Sequence, residues 1–425
     1  MCLEMSISQE LSTRIENFII SNAKSDEHLQ SVLKNPLVLS AVRKEKIFHK
    51  ERCMAIENES FFNYFDNYWE LKEESIKKRF GIEFTSKDIA DDIVRLTIED
   101  IENGDRILDP AVGSGVFLRS CLDHLYKKHQ MQPSYVVENV LYGSDVIDDY
   151  VFGTRLGLVL KVFSMGGYVE NLRASNIKCG NSLKTYDTRF KYVLGNPPYI
   201  KWQLLNDETR MWLSSTFSRI SGTYNIYLAF MERFLSLLEE GGRLGFIVPN
   251  GILTSRSAAD FRDWLHRNYR IEYFIDFSDS KLFKASAYSC IIVLSKTTPR
   301  KYFRLLRAKS LEDLKDAKFL EASVKPTEKI WHVLTNEESN HIEKIESVGK
   351  KLGEYGKIST GIATLKDNIY MVELTEKRNG YFVKHHKGLE FEIESEIVRP
   401  LIKVSRKDLN LGIIFPYTNT SGRTV

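Results

Sequence analysis

Arg106-Ile107-Leu108-Asp109-Pro110-Ala111-Val112-Gly113-Ser114-Gly115 reads as a short buried strand that ends in an acid and runs into a glycine-bearing turn. Val116 to Lys128 follows with helical spacing, and Phe117, Leu118, Cys121, Leu122 and Leu125 fall on one side. Strand, glycine turn and helix in that order place a ligand against backbone at the carboxyl end of a parallel sheet. Gly113 and Gly115 permit close approach because they lack a Cβ. The spacing is not that of a phosphate-binding loop. On these residues alone the turn is a nucleotide-binding loop of unspecified type, in an α/β chain with a Rossmann-like sheet.

Two downstream passages repeat the design. Leu141-Tyr142-Gly143-Ser144-Asp145 reads as a second strand ending in an acid, and a carboxylate there can accept both hydroxyls of a ribose. Ile177-Lys178-Cys179-Gly180-Asn181-Ser182-Leu183 is a third strand-to-loop passage, with Asn181 able to read an adenine edge. Each taken singly is as readily a surface Asp or a turn Asn. Their order and spacing are what favour a shared ligand.

The apolar run Tyr192-Val193-Leu194-Gly195 then ends in Asn196-Pro197-Pro198-Tyr199. A turn after a strand explains two prolines, but these residue types also suit one reaction, methylation of an exocyclic amine on a nucleobase. The lone pair of such a nitrogen is conjugated into the ring, so it is a poor nucleophile. An amide oxygen and a backbone carbonyl, each accepting one amino hydrogen, draw that lone pair out of the ring plane. Asn196 supplies the first acceptor. Pro197 supplies a carbonyl with no N–H of its own. Tyr199 offers a ring face to a base taken out of a duplex.

Taken together, the two motifs resemble those of S-adenosylmethionine-dependent DNA adenine-N6 methyltransferases of the gamma order, the restriction-modification type. In that order the cofactor motifs precede the catalytic motif and target recognition lies C-terminal. The resemblance covers roughly residues 80 to 300 well and the remainder more loosely. It implies a Rossmann-like methyltransferase sheet, S-adenosyl-L-methionine as cofactor and duplex DNA as substrate. Asp109, Pro110, Ala111, Gly113 and Gly115 match the cofactor loop, Asp145 the ribose acid, and Asn196, Pro197 and Tyr199 the catalytic motif. Asn181 stands where the family often carries Asp toward the cofactor's adenine amino group. Phe84-Thr85-Ser86 stands in place of the usual Tyr-Thr-Pro, so Thr85 keeps a hydroxyl for the cofactor carboxylate while the rigid proline is missing. Thr85 as a helix cap is an equally open role. Phe283 would stack on the flipped adenine opposite Tyr199, or else serve as a core anchor. A stack of that kind contributes roughly 1–3 kcal/mol, enough to offset a flip.

The chain around this core divides into three expected parts. Residues 1–80 are a helical N-terminal extension, with Ser8 to Ala23 and Phe61 to Phe80 at helical spacing and no glycine before Gly81. Residues 81–300 are the catalytic domain. Within it, a helix opened by Gly222-Thr223-Tyr224 is expected to reach Glu239, followed by strands at Leu244–Val248 and Cys290–Leu294. Faces of that kind are explained by packing alone. Residues 301–425 are a target-recognition region; Thr360-Gly361-Ile362-Ala363-Thr364 resembles the entry to one, with Thr360, Thr364 and Lys366 able to meet phosphates. That region is short for its kind, so a compact module, completion by another chain and truncation all stand open. Glu70-Leu71-Lys72 has the Glu-x-Lys form of a fused nuclease, but the surroundings read as helical and no Pro-Asp precedes it.

Composition sets limits. The chain has 425 residues, 12% aromatic, with a formal net charge of only +3, so any nucleic-acid surface must be local. Candidates are Arg300-Lys301-Tyr302-Phe303-Arg304 and Lys403-Val404-Ser405-Arg406-Lys407, each of which reads first as a solvated face. The five cysteines have no metal spacing, and Cys121, Cys179 and Cys290 read as reduced core residues. No metal site is expected. Methylating cytosine at carbon 5 needs a cysteine nucleophile, and no Pro-Cys site occurs. With no membrane-length apolar run and no signal-peptide pattern, the expectation is a cytoplasmic enzyme. A cognate restriction endonuclease or specificity subunit is the expected partner. The alternatives are cytosine N4, RNA or a protein glutamine as the methyl acceptor, or a non-catalytic specificity or scaffold subunit.

Overall fold

A computed structural model describes residues 7–42, 57–71, 85–169, 172, 176–277, 288–310, 312–315, 317–327, 330–356, 367–401, 410–415, 419–420 and 423–424. They fall into two units, residues 1–343 and 344–425.

The first unit is built on a ten-stranded sheet. Its strands are β1 (Ile107–Asp109), β2 (Leu141–Asp145), β3 (Ile177–Cys179), β4 (Phe190–Gly195), β5 (Leu238–Pro249), β6 (Arg270–Asp276), β7 (Ser289–Ser295), β8 (Tyr302–Arg307), β9 (Leu320–Thr327) and β10 (Ile330–Thr335). The spatial order is β10-β9-β8-β6-β7-β5-β4-β1-β2-β3. Strands β3, β2, β1, β4 and β5 run parallel, and β7 is antiparallel to both β5 and β6. Every residue of β7 is buried, as a central strand covered on both faces requires. Strand β8 instead alternates exposed and buried positions at its start, so Tyr302, Phe303 and Arg304 belong to a strand with one wet face, and Arg300 and Lys301 precede it.

Alternate residues of the central strands enter two separate buried clusters, one on each face of the sheet. Ile107, Leu141, Ile177, Tyr192 and Leu194 point to one; Leu108, Phe190, Val193, Leu244 and Phe246 point to the other. The architecture is therefore a layered α/β sheet of the Rossmann-like kind. The first face is covered by helices α1 (Gln9–Asn22), α2 (Asp26–Leu33), α3 (Pro36–Ala41), α4 (Asn58–Leu71), α5 (Lys87–Thr97), α6 (Val116–His129) and α7 (Asp148–Ser164). The second face carries α8 (Asp207–Thr216), α9 (Tyr227–Ser236) and α10 (Ala259–Asn268).

The N-terminal helices share the core of the sheet. Ser8 starts α1 by accepting a hydrogen bond from the Leu11 N–H at 3.2 Å, and Phe18 stacks on Phe61 of α4 at 4.0 Å between ring centroids. Glu70 and Leu71 lie in α4, so the Glu-x-Lys triplet begins on a helix. Trp69 closes the layer over Gly153 of α7, where an added Cβ would come within 2.6 Å of the indole Cε2. Gly153→Ala is expected to destabilise the protein by about 1–3 kcal/mol through overpacking. That exceeds the gain of ~1 kcal/mol from helix propensity, and a lower urea midpoint is the readout.

Three local readings need correction. The helix opened near Tyr224 ends at Ser236, not Glu239, because β5 already begins at Leu238. Leu238 pairs with Phe190 across an irregular register, and Gly241 takes φ +73° to let the strand bulge. Cys121 and Cys290 are buried as read from sequence, but Cys179 is exposed, since β3 is the edge strand. The sheet also continues to Thr335, beyond the point where the strand–helix alternation stops in the sequence.

The second unit holds small antiparallel sheets, including the hairpin Tyr381–His386 with Leu389–Glu394. Thr360, Thr364, Lys366 and the Lys403–Lys407 run lie outside the described residues. Among the described residues no helix is long and apolar enough to cross a membrane.

Candidate active site

The strand order reverses between β1 and β4: β1, β2 and β3 proceed to one side, β4 and β5 to the other. In an open parallel sheet a ligand crevice opens at such a point, outside the carboxyl ends of the strands. A cleft lies there, with about 1150 Å³ of open space counting its mouth. Thr85, Pro110, Ala111, Gly113, Asp145, Asn181 and Asn196 all line it. Seven of the residues singled out from sequence thus come together from five separate stretches of chain.

The loop after β1 is held by both backbone and side-chain hydrogen bonds. The Val112 N–H donates to the Ser144 carbonyl at 3.1 Å, and the Gly115 N–H to the Val112 carbonyl at 2.7 Å. Gly113 donates to Asp145 Oδ2 at 3.1 Å while its carbonyl accepts from Thr154 Oγ1 at 3.1 Å. Gly115, the residue before α6, sits at φ +83°, and a Cβ there would meet Thr154 Oγ1 at 2.9 Å. Only glycine satisfies both conditions. Val116 and Phe117 of the first turn of α6, whose N–H groups have no partner within the helix, line the cleft.

The acids differ in access. Asp145 reaches the cleft; its Oδ1 accepts from the Ile147 N–H at 3.1 Å, and burial pushes its pKa up to about 6 against these bonds. Each carboxylate oxygen carries two lone pairs, so acceptor capacity remains for ligand hydroxyls beside these bonds. Asp109 lies wholly buried behind the wall rather than in it. Its Oδ1 accepts from the Ala111 N–H at 3.0 Å and its buried Oδ2 has no partner among the described residues. Burial raises its pKa to about 8, and the nearby Asp145 charge adds to the rise. Gly195 covers it, since a Cβ there would sit 2.8 Å from Asp109 Oδ1. Open carboxylate lone pairs at the rim suit a ligand that carries a diol.

Asn181 caps the turn at Ser182–Thr185, its Oδ1 accepting from the Leu183 N–H at 3.1 Å. One lone pair of that oxygen remains for a ligand amino group. Asn196 projects from the end of β4, and its Nδ2 donates to Thr85 Oγ1 at 3.2 Å. Thr85 precedes Ser86, the residue that starts α5, so its hydroxyl serves Asn196 and not the helix. Pro197 is buried and Pro198 lines the cleft. The Tyr199 hydroxyl donates to the Ile247 carbonyl at 3.0 Å, and its ring meets Tyr227 edge to face at 6.3 Å. The ring is thereby fixed at two points beside β5. Phe283 lies outside the described residues.

Part of the wall escaped the sequence reading. Ile226 and Phe230, together with Ile200 and Leu205, give the cleft its apolar side. Apolar positions on a helix face gave no sign that some line a site as well as a core.

Residues 141–283, which hold β2 to β6 and the Asn196-Pro197-Pro198-Tyr199 stretch, match the family described as Eco57I restriction-modification methylase. The resemblance read from the motifs is borne out at that level. The type II restriction enzyme and methyltransferase RM.Eco57I of Escherichia coli is 24% identical over 72% of this chain and 36% of its own length. The type II methyltransferase M.BstVI of Geobacillus stearothermophilus is 24% identical over 79% of this chain and 64% of its own. The chain thus spans between about a third and two thirds of the length of these relatives. In fold it is similar to the ATP-dependent Type ISP restriction-modification enzyme LlaBIII bound to DNA, with a TM-score of 0.54 at 16% identity. That likeness covers 76% of this chain and 29% of the other. The DrdV–DNA complex gives a TM-score of 0.53 at 15% identity, over 73% and 40%.

Proposed function

We propose that the chain is an S-adenosyl-L-methionine-dependent DNA methyltransferase of a restriction-modification system, acting on adenine N6 in duplex DNA. The observation that carries this reading is a single cleft lined both by the loop after β1 and by Asn196 at the end of β4. When bound, the cofactor supplies an electrophilic methyl group on a positively charged sulfur. Asp145 would hold its ribose hydroxyls and Asn181 its adenine amino group, while Asp109 would brace the loop from behind through the Ala111 N–H.

The rest of the chemistry falls to acceptors and positioning. Asn196 Nδ2 donates to Thr85 Oγ1, and its Oδ1 would accept one hydrogen of the target amine. The Pro197 carbonyl accepts the second amino hydrogen. Tyr199, held by Ile247, presents a ring to the base after it leaves the helix stack. No general base is assigned, and the released proton passes to solvent. The second unit, residues 344–425, would supply DNA recognition, alone or with a further chain, since residues up to Thr335 belong to the central sheet, and a cognate endonuclease is the expected partner in the cytoplasm.

Thr85→Val removes the acceptor that fixes the Asn196 amide. It is expected to lower kcat by roughly tenfold, the value of about one hydrogen bond, as read by single-turnover methylation. The proposal as a whole is tested by transferring labelled methyl from S-adenosylmethionine to mixed-sequence duplex DNA and digesting to nucleosides. Label in N6-methyldeoxyadenosine supports it. Label in N4-methyldeoxycytidine, or only in RNA or protein, overturns the adenine assignment.

A further inference from the structure

The loop that forms the cofactor side of the cleft contains two glycines at positive φ, Gly113 at +50° and Gly115 at +83°. Such a loop has many accessible conformations, so something must select one. The Ser114–Gly115 peptide is gripped at both ends. Its N–H donates to the Val112 carbonyl at 2.7 Å, and its carbonyl accepts from Arg119 Nη1 at 2.7 Å.

Arg119 is an unusual group to find there. It sits one turn into α6 and is only 5% exposed. Phe62 and Phe65 of α4 cover its guanidinium, with ring centroids 5.3 and 5.8 Å away. Gly157 of α7 leaves room for it, since a Cβ there would lie 3.0 Å from Nη1. A buried guanidinium needs a counter-charge. Asp66, also on α4, provides it through an ion pair with Nη2. The carboxylate comes from the N-terminal helices, 53 residues before the arginine it neutralises.

We infer that Asp66 and Arg119 are positioning residues for cofactor binding: α4 holds the Arg119 guanidinium against the Ser114 carbonyl and so locks the glycine loop. The N-terminal helices then belong to the support of the cofactor site and are more than an appended layer. Neither residue touches the cleft, and both act through the loop peptide. The inference rests on the assignment of this cleft to S-adenosylmethionine.

The test uses the full chain and titrates S-adenosylmethionine calorimetrically, with a melting midpoint for every variant. Wild type must bind; absence of binding there would overturn the assignment of the cleft itself. Asp66→Asn is expected to weaken binding about tenfold, and Asp66→Glu, which keeps the carboxylate, to recover most of it. The double variant Asp66→Asn with Arg119→Met removes both charges, a replacement that is often neutral for stability. It is expected to melt near wild type yet still bind about tenfold more weakly. Should Asp66→Asn fail to fold, the double variant carries the comparison. Wild-type affinity in a folded double variant would reduce the pair to a purely structural role and overturn the inference.

Discussion

Asn196→Ala is expected to lower methyl transfer by on the order of 10³-fold, the scale of losing a preorganised polar group at a reacting centre. Affinity for S-adenosylmethionine should stay within a few-fold of wild type. The division follows from placement. Asn196 stands at the end of β4, on the side of the cleft opposite the β2 acid and the β3 turn. Its amide is tied to Thr85 and not to the loop that carries Asp145. Gly195 before it still covers Asp109, so the β4 end keeps its backbone path in the variant. Equal losses in cofactor affinity and in turnover would refute the assignment of Asn196 to the target base. Equilibrium titration beside a single-turnover assay separates the two.

Asp145→Ala should have the opposite signature, a cofactor dissociation constant raised by roughly 100-fold. The residue supplies both the acceptors for a diol and the anchor for the Gly113 N–H. Its pH dependence carries a sign that can be checked. Burial raises its folded pKa from the ordinary 3.8 to about 6. For the free protein, the stability this group contributes is fully present below about pH 4 and is lost as pH rises through 6. Cofactor binding runs the other way, because only the ionised carboxylate accepts two hydroxyls. Affinity should therefore fall as pH drops below about 6, and Asp145→Asn should flatten that limb. An affinity independent of pH between 5 and 7.5 would remove Asp145 from the ribose site.

The sequence made the parallel core and most of the cleft legible because backbone geometry dictates those residues. Gly115 is forced by a left-handed φ and by Thr154, which leaves no space for a Cβ. Asn196-Pro197-Pro198-Tyr199 is unusual enough at a strand end to declare itself. Long-range pairings left no such trace. The bond between Asn196 and Thr85 spans 111 residues and the tie between Arg119 and Asp66 spans 53; neither follows a periodicity. Ile226 and Phe230 were readable as apolar but not as cleft wall, since both roles select the same side chains. Strands β9 and β10 were missed because they pair antiparallel with half-wet faces, with only the four-residue helix Glu312–Lys315 between β8 and β9, so no strand–helix alternation marks them. The exposure of Cys179 depends on β3 being an edge strand, which is a property of sheet order and not of local sequence.

The central claim is that one cleft holds the methyl donor and directs it at the Asn196 side chain. A crystal structure with sinefungin, a donor analogue that carries an amine in place of the methylated sulfur, tests this most directly. The ribose is expected on Asp145, the adenine near Asn181 against the Ile226 and Phe230 side, and the analogue's amine facing Asn196. Sinefungin bound elsewhere, or turned so that its amine faces away from Asn196, would contradict it.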